Sequence, residues 1–124
     1  MLPTKSKLSD SELEIMKVIW SVDGPVTTAF LIKEFSDSRG WKSQTINTFL
    51  TRLMEKGMLK AEKKGVANCY TPVVSVSEYL GKETRAFLDE LHHGSVSSFI
   101  AALGGSENLS DEDISALKAW LDKR

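Results

Sequence analysis

Apolar residues recur along this chain with a helical period over most of its length, and one central stretch breaks that period. Ser9-Asp10-Ser11-Glu12 is a capping-box signature, in which the Ser9 hydroxyl accepts from the Glu12 amide and the Glu12 carboxylate reaches back. Leu13, Met16, Ile19 and Trp20 then form one stripe ending before Asp23-Gly24-Pro25, which predicts a helix over about 9–21. Pro25 and Val26 predict a short extended stretch. Thr27 caps a second helix that turns Leu31, Ile32 and Phe35 inward and stops near Ser38-Arg39-Gly40. Ser43 is the candidate N-cap of a third helix, with Ile46, Phe49, Leu50, Leu53 and Met54 on one face and Gly57 closing its C-terminal end. Residues 58–62 and 68–73 predict two short strands with 63–67 as the hairpin tip. Pro72 has no amide to donate, so the second strand lies at an edge or ends there.

Beyond Ser75 the pattern turns helical again. Leu80, Thr84, Phe87, Leu88 and Leu91 follow a Ser77 cap and stop at Gly94, and Val96, Phe99, Ile100 and Leu103 form a shorter helix broken at Gly104-Gly105. Ser110-Asp111-Glu112-Asp113 caps a last helix carrying Ile114, Leu117, Trp120 and Leu121, with acidic residues in its first turn and Lys123-Arg124 at its end, as a helix dipole favours. The predicted fold is therefore mainly α with a small β-hairpin wing: a winged helix-turn-helix over 1–75 whose third helix reads DNA, then a helical dimerisation domain over 76–124. The second region is near the lower size limit for an independent core. Burial of its apolar stripes (Tyr79, Leu80, Phe87, Leu88, Leu91, Val96, Phe99, Ile100, Leu103, Ile114, Leu117, Trp120 and Leu121) against a second copy predicts a homodimer.

Composition narrows the classes. In 124 residues, 41% are hydrophobic and 27% charged, which fits a globular chain rather than a disordered one. No apolar run approaches the roughly 20 residues of a membrane span, so no membrane insertion is expected. Met1-Leu2-Pro3-Thr4-Lys5 lacks the apolar core of a secretory signal. The one cysteine, Cys69, excludes an internal disulfide framework and fits a reducing cytoplasm. The net charge of −1 conceals an asymmetry, because residues 1–75 hold 11 Lys/Arg against 8 Asp/Glu while residues 76–124 hold 5 against 9. Arg39, Lys42, Arg52, Lys56, Lys60, Lys63 and Lys64 concentrate the positive charge, against Glu55 and Glu62. That is the footprint of a phosphate-binding head beside an acidic appendage, although a solvated lysine-rich surface would look the same.

The third helix carries the sharpest signal. Projected at ~100° per residue, Gln44, Thr48, Thr51, Arg52 and Glu55 point outward, with Thr45 and Asn47 on the flanks. A purely solvated face would favour charged residues of high helix propensity, whereas this one is rich in amides and hydroxyls. Gln and Asn bond adenine bidentately, and Thr offers a hydroxyl and a methyl suited to thymine. Gln44, Thr45, Asn47 and Thr48 are therefore the candidate base readers. Lys42 and Ser43 at the helix start, Arg52, Lys60 and the wing lysines Lys63 and Lys64 are the candidate phosphate contacts. For Lys63 and Lys64 a plain basic turn is the competing reading.

These residues also carry a resemblance. Leu13-Glu14-Ile15-Met16-Lys17-Val18-Ile19-Trp20 and Trp41-Lys42-Ser43-Gln44-Thr45-Ile46-Asn47-Thr48-Phe49-Leu50-Thr51-Arg52-Leu53, followed by Lys56-Gly57, are similar to signatures of the BlaI/MecI/CopY penicillinase-repressor family. Tyr70-Thr71-Pro72, Tyr79-Leu80 and Asn108-Leu109-Ser110 match as well, so the resemblance covers nearly the whole chain. It implies a dimeric winged-helix repressor on a palindromic double-stranded DNA operator, with contacts carried over onto Gln44, Thr45, Asn47, Thr48 and Arg52. In relatives paired with a membrane-bound sensor protease, it also implies a regulatory cut that would fall here at Ala102-Leu103. Three departures stand out: Lys42-Ser43 where relatives often have Ser-Pro, Asn47 where they often have a long basic residue, and Ala-Leu where sensor-cleaved relatives have Asn-Phe. The copper-responsive branch carries Cys-x-Cys motifs that a chain with Cys69 alone does not have.

Other chemistry is sparse. His92-His93 lacks partners at metal-ligand spacing and reads as an exposed or interface pair. Cys69 reads as a small strand-filling residue rather than a redox sensor, and Asp111, Glu112 and Asp113 as helix-start charge rather than a cation site. No phosphate loop, nucleophile elbow or metalloprotease motif occurs, so no cofactor, metal or enzymatic activity is expected. The expected function is a cytoplasmic dimeric repressor. The alternatives are a winged-helix module that binds protein instead of DNA, or a repressor of the same family answering a signal other than a β-lactam.

Overall fold

In the computed structural model, which describes residues 7–105 and 109–124, α1 (Asp10–Ser21) begins with the reciprocal cap its sequence predicts. The Glu12 amide donates to Ser9 Oγ at 3.2 Å and the Ser9 amide donates to Glu12 Oε1 at 2.9 Å. The chain continues through β1 (Val26–Thr27), α2 (Thr28–Arg39), α3 (Ser43–Glu55), β2 (Leu59–Lys64), β3 (Ala67–Pro72), α4 (Val76–His92), α5 (Val96–Gly105) and α6 (Asp111–Asp122). Thr27 caps α2 through the Phe30 amide, and Gly40 ends it in the left-handed conformation that glycine adopts without steric cost. The residues read against a secretory signal, 1–5, and Asn108 lie outside the described residues.

Several local expectations change. Lys42, not Ser43, is the N-cap of α3, and it makes no side-chain cap bond. Ser75, not Ser77, caps α4: its hydroxyl accepts from the Glu78 amide at 3.1 Å, and Glu78 Oε1 accepts from the Ser75 amide at 2.9 Å. Both serines precede an apolar run, but only Ser75 has a glutamate three residues on. The α5 helix takes in the expected glycine break and ends at Gly105. Strand pairing reaches Lys63↔Asn68 and Lys64↔Ala67, so both lysines lie in β2 and the tip shrinks to Gly65-Val66. Gly65 opens that two-residue turn at φ +68°.

The extended stretch after Pro25 becomes a third strand. The sheet order is β1-β3-β2, all antiparallel, with Val26↔Tyr70 and Thr27↔Cys69 in register. β3 is thus central, and it ends at Pro72, where a ladder amide is no longer available. Contacts divide the chain into two units, Met1–Leu80 and Gly81–Arg124. The core of the first gathers Ile15, Met16, Ile19, Leu31, Ile46, Leu50 and Leu53, all fully buried, with Val26, Leu59 and Tyr70 from the sheet. On α1 the buried stripe is rotated from the expected one: Ile15 is enclosed, while Leu13 and Trp20 are half-buried. Trp20 is turned toward a polar partner, donating from Nε1 to the Val74 carbonyl at 2.9 Å, and its ring meets Tyr79 at 5.6 Å.

One charge lies inside this core. Glu12 is buried, and the Lys56 ammonium just past the end of α3 donates to its Oε1 at 2.5 Å and to the Lys7 carbonyl at 2.9 Å. Burial alone would raise the Glu12 pKa, but the Lys56 hydrogen bond, the Ser9 amide and the Lys56 charge together outweigh it and hold it below the ordinary value of 4.5. A carboxyl depressed by folding stabilises the fold fully above its unfolded pKa, and that contribution fades as the pH falls through the lower folded value. Lys56→Met, which strands the carboxylate, is expected to cost about 3 kcal/mol at pH 7 in urea unfolding. Glu12→Gln is expected to flatten the loss of stability below about pH 4.5; an acid limb identical to wild type would remove Glu12 from that role.

Candidate nucleic-acid interface

The α3 helix is held by one face and exposed on the other. Ile46, Leu50 and Leu53 are fully buried, and Phe49 packs at 5.3 Å on Trp41, which stacks on Phe35 of α2 at 4.9 Å. The opposite face presents Gln44, Asn47, Thr48, Thr51, Arg52 and Glu55 to solvent, with Thr45 half-buried at its margin. Thr48 donates its hydroxyl proton to the Gln44 carbonyl and Thr51 to the Asn47 carbonyl, each at 3.0 Å. These hydroxyls therefore offer acceptor lone pairs and a methyl outward rather than a donor. The side chains of Gln44, Asn47 and Arg52 hold no hydrogen bond or ion pair among the described residues.

The basic stretch separates into two groups that the sequence does not distinguish. Arg39 pairs with Glu14 of α1, donating from Nε at 3.0 Å and from a second guanidinium nitrogen, and Lys56 is consumed by Glu12. Lys42, Arg52, Lys60, Lys63 and Lys64 remain exposed, without a carboxylate partner among the described residues. Their field is the part available to an external anion.

α3 and the wing border one concavity of about 360 Å³, lined by Thr27, Thr28, Ala29, Asn47, Val66, Ala67 and Asn68. β1 creates it, because pairing Thr27 with Cys69 carries the first turn of α2 alongside the wing. The sequence reading missed Thr28, Val66 and Asn68 here. Only the β1–β3 ladder brings them beside Asn47.

Residues 8–123 match the family described as "Penicillinase repressor". The chain belongs to the penicillinase repressor family. It is 36% identical over 117 residues to the penicillinase repressor of Bacillus licheniformis, covering 94% of this chain and 91% of that protein. It is 27% identical to the methicillin resistance regulatory protein MecI of Staphylococcus aureus, covering 95% of each. Among solved structures, the DNA-binding domain of the repressor BlaI matches 60% of this chain and 89% of its own, with a TM-score of 0.54 and 43% identity. The monomeric form of Bacillus licheniformis BlaI, solved in complex with the blaP half-operator, matches 59% and 88%, with a TM-score of 0.52 and 44% identity. The winged-helix architecture follows from these likenesses together with the helices and sheet described above.

The second unit of this penicillinase-repressor relative leaves most of its apolar side chains exposed. Phe87, Leu91, Val96, Ile100, Ile114, Leu117, Trp120 and Leu121 face solvent, as does Leu80 at the end of the first unit. Leu88 is buried, and Phe99 and Leu103 are half-buried. Tyr79 departs from the expected dimer set, because it packs on the first unit's own core beside Trp20. His92 sits edge-on between Phe87 and Phe99, its Nδ1 2.8 Å from Ser98 Oγ. Exposed His93 takes the turn at φ +51°. Cys69 is a buried thiol, and no cluster of three potential metal ligands occurs among the described residues. No described helix is long and apolar enough to cross a membrane.

Because the outward residues of α3 support nothing inside the protein, Gln44→Ala, Asn47→Ala and Arg52→Ala are each expected to shift stability by no more than about 0.5 kcal/mol. Leu50→Ala on the buried face is expected to cost about 3 kcal/mol. Urea midpoints of the four variants check the contrast, and a large loss from any of the first three would make that residue structural.

Proposed function

We propose that this chain is a homodimeric transcriptional repressor whose two α3 helices enter successive major grooves of a palindromic duplex operator, about one helical turn or ~34–36 Å apart. The outer face of α3 carries this reading, since the side-chain amides of Gln44 and Asn47 are exposed and uncommitted among the described residues, and the Thr48 and Thr51 hydroxyls keep free lone pairs, while Ile46, Leu50 and Leu53 opposite are fully buried. Gln44, Thr45, Asn47 and Thr48 choose bases: Gln and Asn by bidentate bonds to adenine, Thr48 by its acceptor oxygen and its methyl. Lys42, Ser43, Arg52, Lys60, Lys63 and Lys64 hold phosphates and fix the register. The half-operator complex of the related BlaI monomer supports one head engaging one half-site.

The exposed apolar residues of the second unit pair two chains, with Tyr79 left to its own subunit. Joining the heads turns the second half-site into a local encounter, so operator affinity exceeds that of either head. Repression then works by occupancy, with no bond chemistry by the chain itself, and its place is the cytoplasm, where the chromosome is. It ends when the heads are separated. One route is a cut by a membrane-bound sensor protease at Ala102-Leu103, within α5, beside the exposed Gly104 and Gly105 that lower helix propensity. A signal other than a β-lactam acting on the same unit would serve equally.

Gln44→Ala is expected to cost ~1–3 kcal/mol in operator binding and to relax preference at one base pair per half-site, read by selection from a random duplex pool. Arg52→Ala is expected to weaken all duplexes alike and lower the salt slope by about one; a sequence-selective loss would make it a base reader. Leu117→Glu with Trp120→Glu is expected to give a folded monomer by sedimentation equilibrium, its operator affinity reduced at least tenfold. Persistence of the dimer would place the pairing surface elsewhere.

A further inference from the structure

We propose that the concavity between α3 and the wing seats one sugar–phosphate unit of the bound DNA strand, with Asn68 donating to the phosphate and Val66 packing on the deoxyribose, and that this seat sets how deeply α3 enters the groove. The proposal rests on the DNA-binding reading above and adds a fixed point to it. Val66 is the first observation: it is 97% exposed at the wing tip, where turn chemistry favours Gly, Asn or Asp over a β-branched apolar side chain. It contributes nothing to the core, yet it borders the same hollow as Asn47 of α3.

Composition of the hollow is the second observation. None of its seven described lining residues is acidic, in a chain that carries 17 carboxylates. Hydroxyl and amide groups from Thr27, Thr28, Asn47 and Asn68 alternate with the methyls of Ala29, Val66 and Ala67. A deoxyribose phosphate needs that mixture: donors for the anionic oxygens and an apolar wall for the sugar.

The third is placement. Asn68 is exposed near the wing tip, while Cys69 and Tyr70 after it on the same strand are buried. The Cα partner of Asn68 across the wing is Lys63, and Ala67 pairs with Lys64, so two ammonium groups without a carboxylate partner among the described residues lie on the adjacent strand. Asn47 closes the side of the hollow nearest the base-reading face. A strand passing from α3 to the wing thus meets a base reader, then a donor, then two cations. Asn68 pairs with Lys63 of β2 and directly precedes Cys69, where β1 joins the ladder, so the seat is fixed to the sheet.

The experiment uses the full chain and the tightest duplex recovered from a random-sequence pool, scanned with single neutral methylphosphonate linkages. In wild type, one linkage per half-site is expected to weaken binding by about tenfold, the loss of a hydrogen bond to a charged group. Asn68→Ala is expected to show that loss on the unmodified duplex and no further loss at that linkage, with base preference unchanged. Val66→Ser is expected to weaken binding a few-fold whatever the sequence. Wild-type affinities and an unchanged scan in both variants would overturn the seat; if Gln44→Ala still altered base preference, the groove reading would stand without it. Failure of the wild-type chain to retain any duplex at low salt would overturn both.

Discussion

Burial of Ile46, Leu50 and Leu53 against α1, α2 and the sheet fixes the rotation of α3 about its own axis, and every property of the candidate interface follows from that rotation. A helix turned by one residue, about 100°, would bring Asn47 inward and Ile46 out. That arrangement would bury an amide without a partner and expose apolar surface. The cost of the alternative keeps Gln44, Asn47, Thr48 and Arg52 pointed one way. Trp41, stacked on Phe35 and tilted against Phe49, extends the same restraint to the turn between α2 and α3.

Electrostatics pins the far end of the helix. Lys56 reaches Glu12 in the first turn of α1, which already closes its own N-terminus through Ser9, so one carboxylate joins two helices and a cap. Arg39 binds Glu14, two residues further along α1. These two cations are the ones withdrawn from the positive stretch, and five others stay exposed around α3 and the wing. Charge that looks continuous along the sequence is thus divided by the fold into a structural part and an available part. The division is physical, since a cation bonded to a carboxylate has part of its field cancelled for an outside anion, most fully for Lys56 on the buried Glu12.

The second unit obeys a different balance. Its helix α6 is capped by Ser110–Asp113, and α4, which enters it from the first unit, by Ser75–Glu78, so their formation is favoured locally. Their apolar stripes are mostly uncovered: Trp120 is 53% exposed, with the Arg124 guanidinium over its ring at 4.4 Å. Helices that form readily but bury little need surface from elsewhere to be stable. In the homodimer proposed above, a second copy of the chain would supply a matching stripe by symmetry.

Local chemistry was legible in the order of residues. The caps at Ser9, Thr27 and Ser110, the left-handed stop at Gly40, the paired strands and the outward face of α3 all rest on contacts between residues a few positions apart, which a linear pattern contains. The sequence likewise bore the family signatures that the comparisons uphold. What required the folded chain was pairing across distance. Val26-Thr27 became a strand only because Cys69 and Tyr70 came alongside, Glu12 became a buried ion only because Lys56 arrived from 44 residues away, and Tyr79 left the apolar stripe of its own helix for the side of Trp20. The hollow shared by Asn47, Val66 and Asn68 belongs to the same class. Periodicity fixes which face of an element is apolar, but the neighbour that covers it is chosen by the competition among all faces for burial, and that competition is settled only in three dimensions.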